Sequence, residues 1–311
     1  MEYILIDMFK TGLPYALLAL GIFMSYRVLD IADLSCEGTF TLGGALSAVL
    51  LVKDVNPFIA TFFGMLAGFL AGIITGLIHT KLKITALLSG IITMTGLFSI
   101  NLVIMGIAIP DSDYATLVNL NGKNVNNESI TTIYNSFLAI FEKNNYNMIF
   151  ISLLIVIAVA SITYWFFGTE IGMSLRATGI NQNMARAQGI NTNVMIILGL
   201  GIGNALIALS GSLFAQTQKS ASSTMGVGVL VIGLASIIIG EGIFGKRTFK
   251  NWMISVLLGA IVYYLIIVIA IQLGLPSYYQ KLLYALLILI VLAIPQLRKL
   301  IFKGGKKHAN A

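Results

Sequence analysis

Long apolar runs leave this chain little choice of fold. Between about residues 12 and 297, largely apolar stretches of roughly 16 to 26 residues recur, each near the length a helix needs to cross hydrocarbon. Inside lipid every backbone donor and acceptor must be satisfied within the spanning structure, so each run reads as a helix. Spans are placed at 12–27, 36–52, 56–79, 84–109, 147–167, 193–216, 227–243, 251–271 and 279–297. The expectation is an all-α polytopic membrane protein with about nine transmembrane helices, eight and ten staying open, forming a single domain over residues 1–311. Only 10% of the 311 residues are charged, against roughly 25% in soluble proteins. That leaves no soluble catalytic domain to place.

The net charge of +7 would suggest nucleic acid in a soluble protein, but here the cations gather in short loops and in the tail. Arg27, His79 with Lys81 and Lys83, Arg176 and Arg186, Lys246 with Arg247 and Lys250, and Arg298 to Lys307 all fall on one side of the nine-span layout. By the positive-inside rule that side is cytoplasmic, and no nucleic-acid partner is expected. An odd count puts the N-terminus outside; an amphipathic stub over Glu2 to Lys10 would change the count. The first ten residues lack a basic n-region and a cleavage pattern, so they are expected to be retained. Residues 110–146 are the one sizeable insert, an asparagine-rich extracytoplasmic loop read as cap-like.

A weak internal symmetry is present. Span 12–27, polar punctuation at Asp30, Asp33 and Glu37, and then Thr39 to Gly44 match in plan span 193–216, the loop 216–224, and Gly226-Val227-Gly228. The two units start on opposite sides, which makes an inverted-repeat core, an architecture that places a transport path at the repeat interface. Small residues also simply let helices pack, as Gly64, Gly68, Gly72 and Gly76 at four-residue spacing would on one face of the third span.

Candidate chemistry is sparse. Nearly every charge is assigned to a span end, which speaks against an ion-coupled carrier or an intramembrane enzyme, since both put ionisable groups in mid-membrane. Glu241 is the nearest exception and is placed at the cytoplasmic rim near Lys246 and Arg247. No metal-site spacing, nucleophile elbow or phosphate loop is present, and the single cysteine, Cys36, reads as a packing residue. Thr39, Thr41, Ser99, Asn101 and Asn204 are candidates for lining a translocation path; each could equally hydrogen-bond a neighbouring helix.

The most patterned polar stretch is residues 168–191. Ile171 to Thr178 reads as a short helix ended by a left-handed Gly179; Asn181 caps a second helix, Gln182 to Gln188, which Gly189 ends. Glu170, Arg176 and Arg186 are its only charges, while Ala177, Ala185 and Ala187 would let another backbone approach. A plain cytoplasmic loop obeying the positive-inside bias fits the same residues.

The run Arg176-Ala177-x-Gly179-x-Asn181, followed by Ala185 and Gly189-Ile190, resembles the cytoplasmic coupling segment of bacterial ABC-importer permeases of the branched-chain amino acid and ribose type. Its fuller form, Leu175 to Ile190, is most similar to permeases of tryptophan/tyrosine-type systems, and the likeness extends to Leu29 to Ser35 and Ile237 to Glu241. The resemblance implies a type II-like ABC importer permease in the bacterial cell membrane. It also implies a second permease copy, a homodimer being favoured over a heterodimer, with membrane lipid around the pair. Residues 168–191 would dock on a cytoplasmic ATPase, and a substrate-binding lipoprotein would deliver solute outside. ATP and Mg would bind that ATPase, and this chain would hold no cofactor. Glu170, Arg176, Ala177, Gly179, Asn181, Ala185, Arg186 and Gly189 become the expected coupling residues, and an aromatic amino acid the favoured substrate. The rival reading is a stand-alone channel or ion-coupled secondary carrier.

Overall fold

A computed structural model describes residues 2–109, 112–122, 124–126, 128–134 and 145–273, with isolated positions between 279 and 289. The expected span 279–297, the cationic tail and parts of the 110–146 insert lie outside the described residues. Ten α-helices are described: α1 (Glu2–Phe23), α2 (Ser35–Val52), α3 (Pro57–Lys81), α4 (Ala86–Gly106), α5 (Asn145–Phe167), α6 (Glu170–Ile180), α7 (Gln182–Ala187), α8 (Thr192–Gln218), α9 (Val229–Phe244) and α10 (Phe249–Gln272). Seven segments are long and apolar enough to cross a membrane: Ile6–Val28 and helices α2, α3, α4, α5, α8 and α10. Each of the eight expected spans that falls on described residues coincides with one helix, α9 being shorter than the rest at 16 residues.

Helices α1, α2 and α8 form the buried centre, and α3, α4 and α5 are more exposed around it. The glycine stripe of α3 lies along α8: Gly64 meets Ser212, Gly68 meets Ala208, Gly72 meets Leu200 and Gly76 meets Ile197. Helices α2 and α8 touch more closely still. A Cβ on Gly43 would overlap the Ala208 carbonyl and one on Gly211 the Phe40 carbonyl, so the two backbones cross in direct contact. The opposite face of α3 presents Phe62, Leu66, Leu70, Ile74 and Leu77 outward, as a helix bordering lipid does.

The α1–α2 connection departs from the sequence reading. After Phe23 the chain makes a π-turn, Met24–Val28, and then an irregular segment, 29–34, that climbs back into the bundle. Asp33 is 3% exposed and accepts from Asn204 Nδ2 at 2.7 Å. Asn204 is twelve residues into α8, roughly 18 Å along its axis. The expectation that nearly every charge sits at a span end is therefore corrected at two positions: Asp33, and with it Glu37 in the first turn of α2, lie within the bundle. Composition marks a polar break in a span but not the depth at which the break sits.

The outer insert is tied down by its asparagines. Asn124 Nδ2 and Asn126 Nδ2 donate to the two carboxylate oxygens of Asp54 at 2.7 and 2.6 Å. Leu117–Asn119 pairs antiparallel with Ser220–Ser222, a two-stranded patch that adds a small β element to the expected all-α fold. Tyr134 is buried, accepts from Ser152 at 3.3 Å, and burial pushes its hydroxyl pKa above the ordinary value.

Candidate functional site

Two interruptions of the helical bundle flank α2 and the short α9. The first is 29–34, ahead of α2; the second is 219–228, ahead of the short α9. Residues 225 and 226 of the second enter the bundle, Met225 lying against Gly44 and Gly226 against the Glu37 carbonyl. The second meets the first turn of α2, just past the first break, where Gly228 N donates to Glu37 Oε1 at 3.0 Å. Gly228 has φ +87, and a left-handed residue here turns the chain into α9. Breaks in spanning helices are where many transporters place the ligand, because there backbone and polar side chains can line a cavity at membrane depth.

Beside that meeting point lies a cavity of ≈ 320 Å³ lined by Glu37, Gly38, Thr41, Met94, Thr95, Phe98, Asn101, Ser223 and Val227. Asn101 is 1% exposed. Its amide nitrogen donates to the Gly38 carbonyl at 3.1 Å, while its Oδ1 is buried with no hydrogen-bond partner among the described residues. A buried acceptor left unpaired costs about 1–3 kcal/mol, so this wall has hydrogen-bonding capacity that the protein itself does not use. The rest of the lining includes the apolar side chains of Met94, Phe98 and Val227.

Of the expected path residues, Thr41 and Asn101 line this cavity. Thr39 is fully buried and donates to the Ser35 carbonyl at 2.9 Å. Ser99 is exposed on α4 and is not among the lining residues. Asn204 is placed elsewhere: it donates to Asp33 and to the Leu200 carbonyl and accepts from Ser35 Oγ at 3.4 Å, while Asp33 also accepts from Ser35 N at 2.8 Å. That network fixes segment 29–34 against α8. Glu37 and Thr95 carry the cavity's remaining polar lining on α2 and α4; sequence reading treated Glu37 as loop punctuation.

The polar stretch 168–191 forms the two helices expected of it, α6 and α7. Thr169 caps α6 by accepting from Gly172 N at 3.3 Å. Asn181 caps α7 by accepting from Asn183 N and Met184 N at 3.0 and 3.1 Å, and Gly189 leaves it with φ +83. Gly179 is different from the expectation. Helix α6 runs through it to Ile180, and the glycine is needed because a Cβ there would overlap the Val28 carbonyl. The two-helix knob thus rests on the π-turn that ends α1.

The knob's arginines are engaged within the chain. Arg176 lies over the Phe249 ring at 4.3 Å, a cation–π contact, and Arg186 Nε donates to Thr192 Oγ1 at 2.7 Å. Ala185 is buried, so it is not part of an outward surface, whereas Glu170 and Asn181 are exposed and Ala177 is half-buried. Among these exposed polar residues the knob also holds out two large apolar side chains, Ile180 at 85% and Met184 at 59%, on either side of the Asn181 corner. Sequence reading missed both because isolated apolar residues in a polar segment look like ordinary packing positions. Glu241, expected near Lys246 and Arg247, instead pairs with Arg27 at 2.7 Å and accepts from Trp252 Nε1 at 2.8 Å. It joins α9 and α10 to the same π-turn. Among the described residues no group of acidic, histidine and cysteine side chains could hold a metal ion.

The family model described as the branched-chain amino acid transport system permease component matches residues 4–292. A tyrosine transport system permease protein of Clostridioides difficile is 35% identical over 97% of this chain and 95% of its own length. A ribose import permease of Haemophilus influenzae is 26% identical over 88% of this chain and 79% of its own. A galactofuranose transporter permease of Escherichia coli is 25% identical over 83% and 69% respectively. No solved structure matches.

Proposed function

From the premise that this chain belongs to the branched-chain amino acid transport system permease family, an ABC-type permease family, we propose that it is the membrane subunit of an ATP-driven importer of amino acids. Membership of that family with several apolar helices makes it a multi-pass inner-membrane protein and a transport subunit. ATP and Mg are assigned to a separate cytoplasmic ATPase, and delivery of solute to a substrate-binding lipoprotein; a second copy of the permease completes the pathway.

The observation that carries the coupling half of this reading is the knob. Two short helices are clamped to the core through Gly179 on Val28 and Arg176 on Phe249, yet they hold Ile180 and Met184 out of the fold. An apolar tip on a rigid mount suits insertion into an ATPase cleft, where small central anchors carry most of the binding energy. The docking role moves accordingly from the arginines, which support the knob, to Ile180 and Met184, with Glu170 and Asn181 on the exposed rim. Glu241 with Arg27 braces the mount.

The cavity beside the two breaks supports an amino acid as cargo. One carboxylate, Glu37, and the unused Asn101 acceptor suit an ammonium group, and Met94, Phe98 and Val227 suit a large apolar side chain. The tyrosine permease relative agrees with an aromatic substrate.

The test is co-purification with the proposed cytoplasmic ATPase. I180D and M184D together should abolish the complex in protein that still reaches the membrane. R176Q should leave the complex assembled but less heat-stable. A full-strength complex in the Asp double variant removes the apolar tip from docking, and transport by the purified chain without any ATPase returns the stand-alone carrier.

A further inference from the structure

On the knob's side of the membrane a pocket of ≈ 480 Å³ opens between the end of α3, the α3–α4 turn and the start of α8. It is lined by His79, Thr80, Lys83, Ile84, Thr85, Gln182, Arg186, Asn193 and Ile196. Three of these residues can carry positive charge and none is acidic. Among the described residues the one salt bridge is Arg27 with Glu241, neither of which lines this pocket, so neither Lys83 nor Arg186 has a carboxylate partner. His79 Nδ1 is bound to the Ile84 carbonyl at 2.7 Å; because a carbonyl can only accept, the ring keeps its Nε2 for other contacts. Arg186 uses only Nε, on Thr192, which leaves its terminal nitrogens for a ligand.

A second, independent feature points the same way. Thr85 and Asn193 stand at the N-termini of two long helices, α4 and α8, and helix N-termini favour anions. Thr85 occupies the N-cap of α4 yet its side chain makes no cap bond, so the first amides of α4 receive no side-chain oxygen from it. Basic side chains and an uncapped helix start thus converge on one concavity. The chemistry that satisfies both is a phosphate-type anion.

The pocket's edge decides the source of that anion. On α3, Leu70, Ile74 and Leu77 form an exposed apolar stripe leading to the turn that carries His79 and Thr80, and Leu87 and Leu88 are exposed at the start of α4. A headgroup seated among the cations would lay its acyl chains along these residues. We propose that this pocket binds the phosphodiester headgroup of an anionic phospholipid. The lipid bridges the α3–α4 turn to α7 and the start of α8, at the base of the knob. This inference needs only the membrane location and holds whichever solute is carried.

The full-length chain is purified, delipidated in detergent, and titrated with phosphatidylglycerol or phosphatidylcholine while bound lipid is counted by native mass spectrometry. Phosphatidylglycerol should be retained in preference. Each cation near a membrane surface contributes about fivefold in affinity, so K83N and R186Q should each weaken retention about fivefold and the pair about thirtyfold. Asn is chosen at Lys83 because that residue has φ +56, which asparagine tolerates. K81Q, an exposed cation two residues before Lys83 that does not line the pocket, should weaken retention clearly less than K83N. Equal retention of both lipids, an unchanged double variant, or an equal loss in K81Q would overturn the proposal. So would displacement of the lipid by inorganic phosphate, which would make this a site for a soluble anion. Loss of ATPase binding with lipid retention intact would reassign the cations to a protein contact.

Discussion

The two interruptions at the centre of the bundle are held by different means. Segment 29–34 is fixed by side chains, Asp33 to Asn204 and Ser35 with Asn204 itself bonded along α8, and it is closed off from the cavity. Segment 219–228 is held where it enters the bundle by backbone: Gly226 against the Glu37 carbonyl and Gly228 N on Glu37 Oε1, with open space where a Gly228 side chain would stand. The first is built as an anchor. The second lines the cavity; its outer part is paired with Leu117–Asn119, while its inner part is attached through Gly226 and Gly228 to Glu37, so it is this inner part that can change its contacts at low cost.

The largest expected effect is at the anchor. N204L leaves the buried Asp33 carboxyl short of its main partner, and unfolding in detergent should be easier by about 3 kcal/mol. An unchanged unfolding midpoint would erase the distinction between the two breaks. At the second break the loss should appear in transport instead. E37Q keeps an acceptor for Gly228 N but removes the charge, so uptake by the reconstituted complex should fall on the order of tenfold, equivalent to about 1.4 kcal/mol, while the unfolding midpoint stays near wild type. Equal uptake would take Glu37 out of substrate recognition. An effect of similar size, but in stability, is expected from G228A: its φ of +87 penalises a Cβ by about 1–2 kcal/mol, and G228N should recover part of that. If G228A were as damaging as N204L, the second break would be an anchor too.

Much of this architecture was legible in the sequence. The knob helices, the Asn181 cap and the Gly189 exit follow from local chemistry, and the eight spans that could be compared follow from length and apolarity. What was not legible depends on depth and on distant partners. Asp30, Asp33 and Glu37 look alike in a sequence, yet Asp30 is exposed, Asp33 is buried and Glu37 faces a cavity. Gly179 reads as a helix stop because glycine often is one; its actual role, passing the Val28 carbonyl, needs a contact from 150 residues away. Glu241 had nearby cations in sequence, but space brings it Arg27.

The crossing of α2 and α8 at bare backbone also has a mechanical meaning. Contact through Gly43 and Gly211 leaves no side-chain layer to shear, so the two helices can tilt about that point more readily than they can slide. Along α8 the crossing divides the rod unequally, roughly 27 Å from Thr192 to Ser210 and roughly 12 Å from Ser210 to Gln218. Helix α8 is then a lever with its fulcrum off centre. Were α8 to tilt about this crossing, a displacement at its Thr192 end would arrive at its Gln218 end about half as large and opposite in direction.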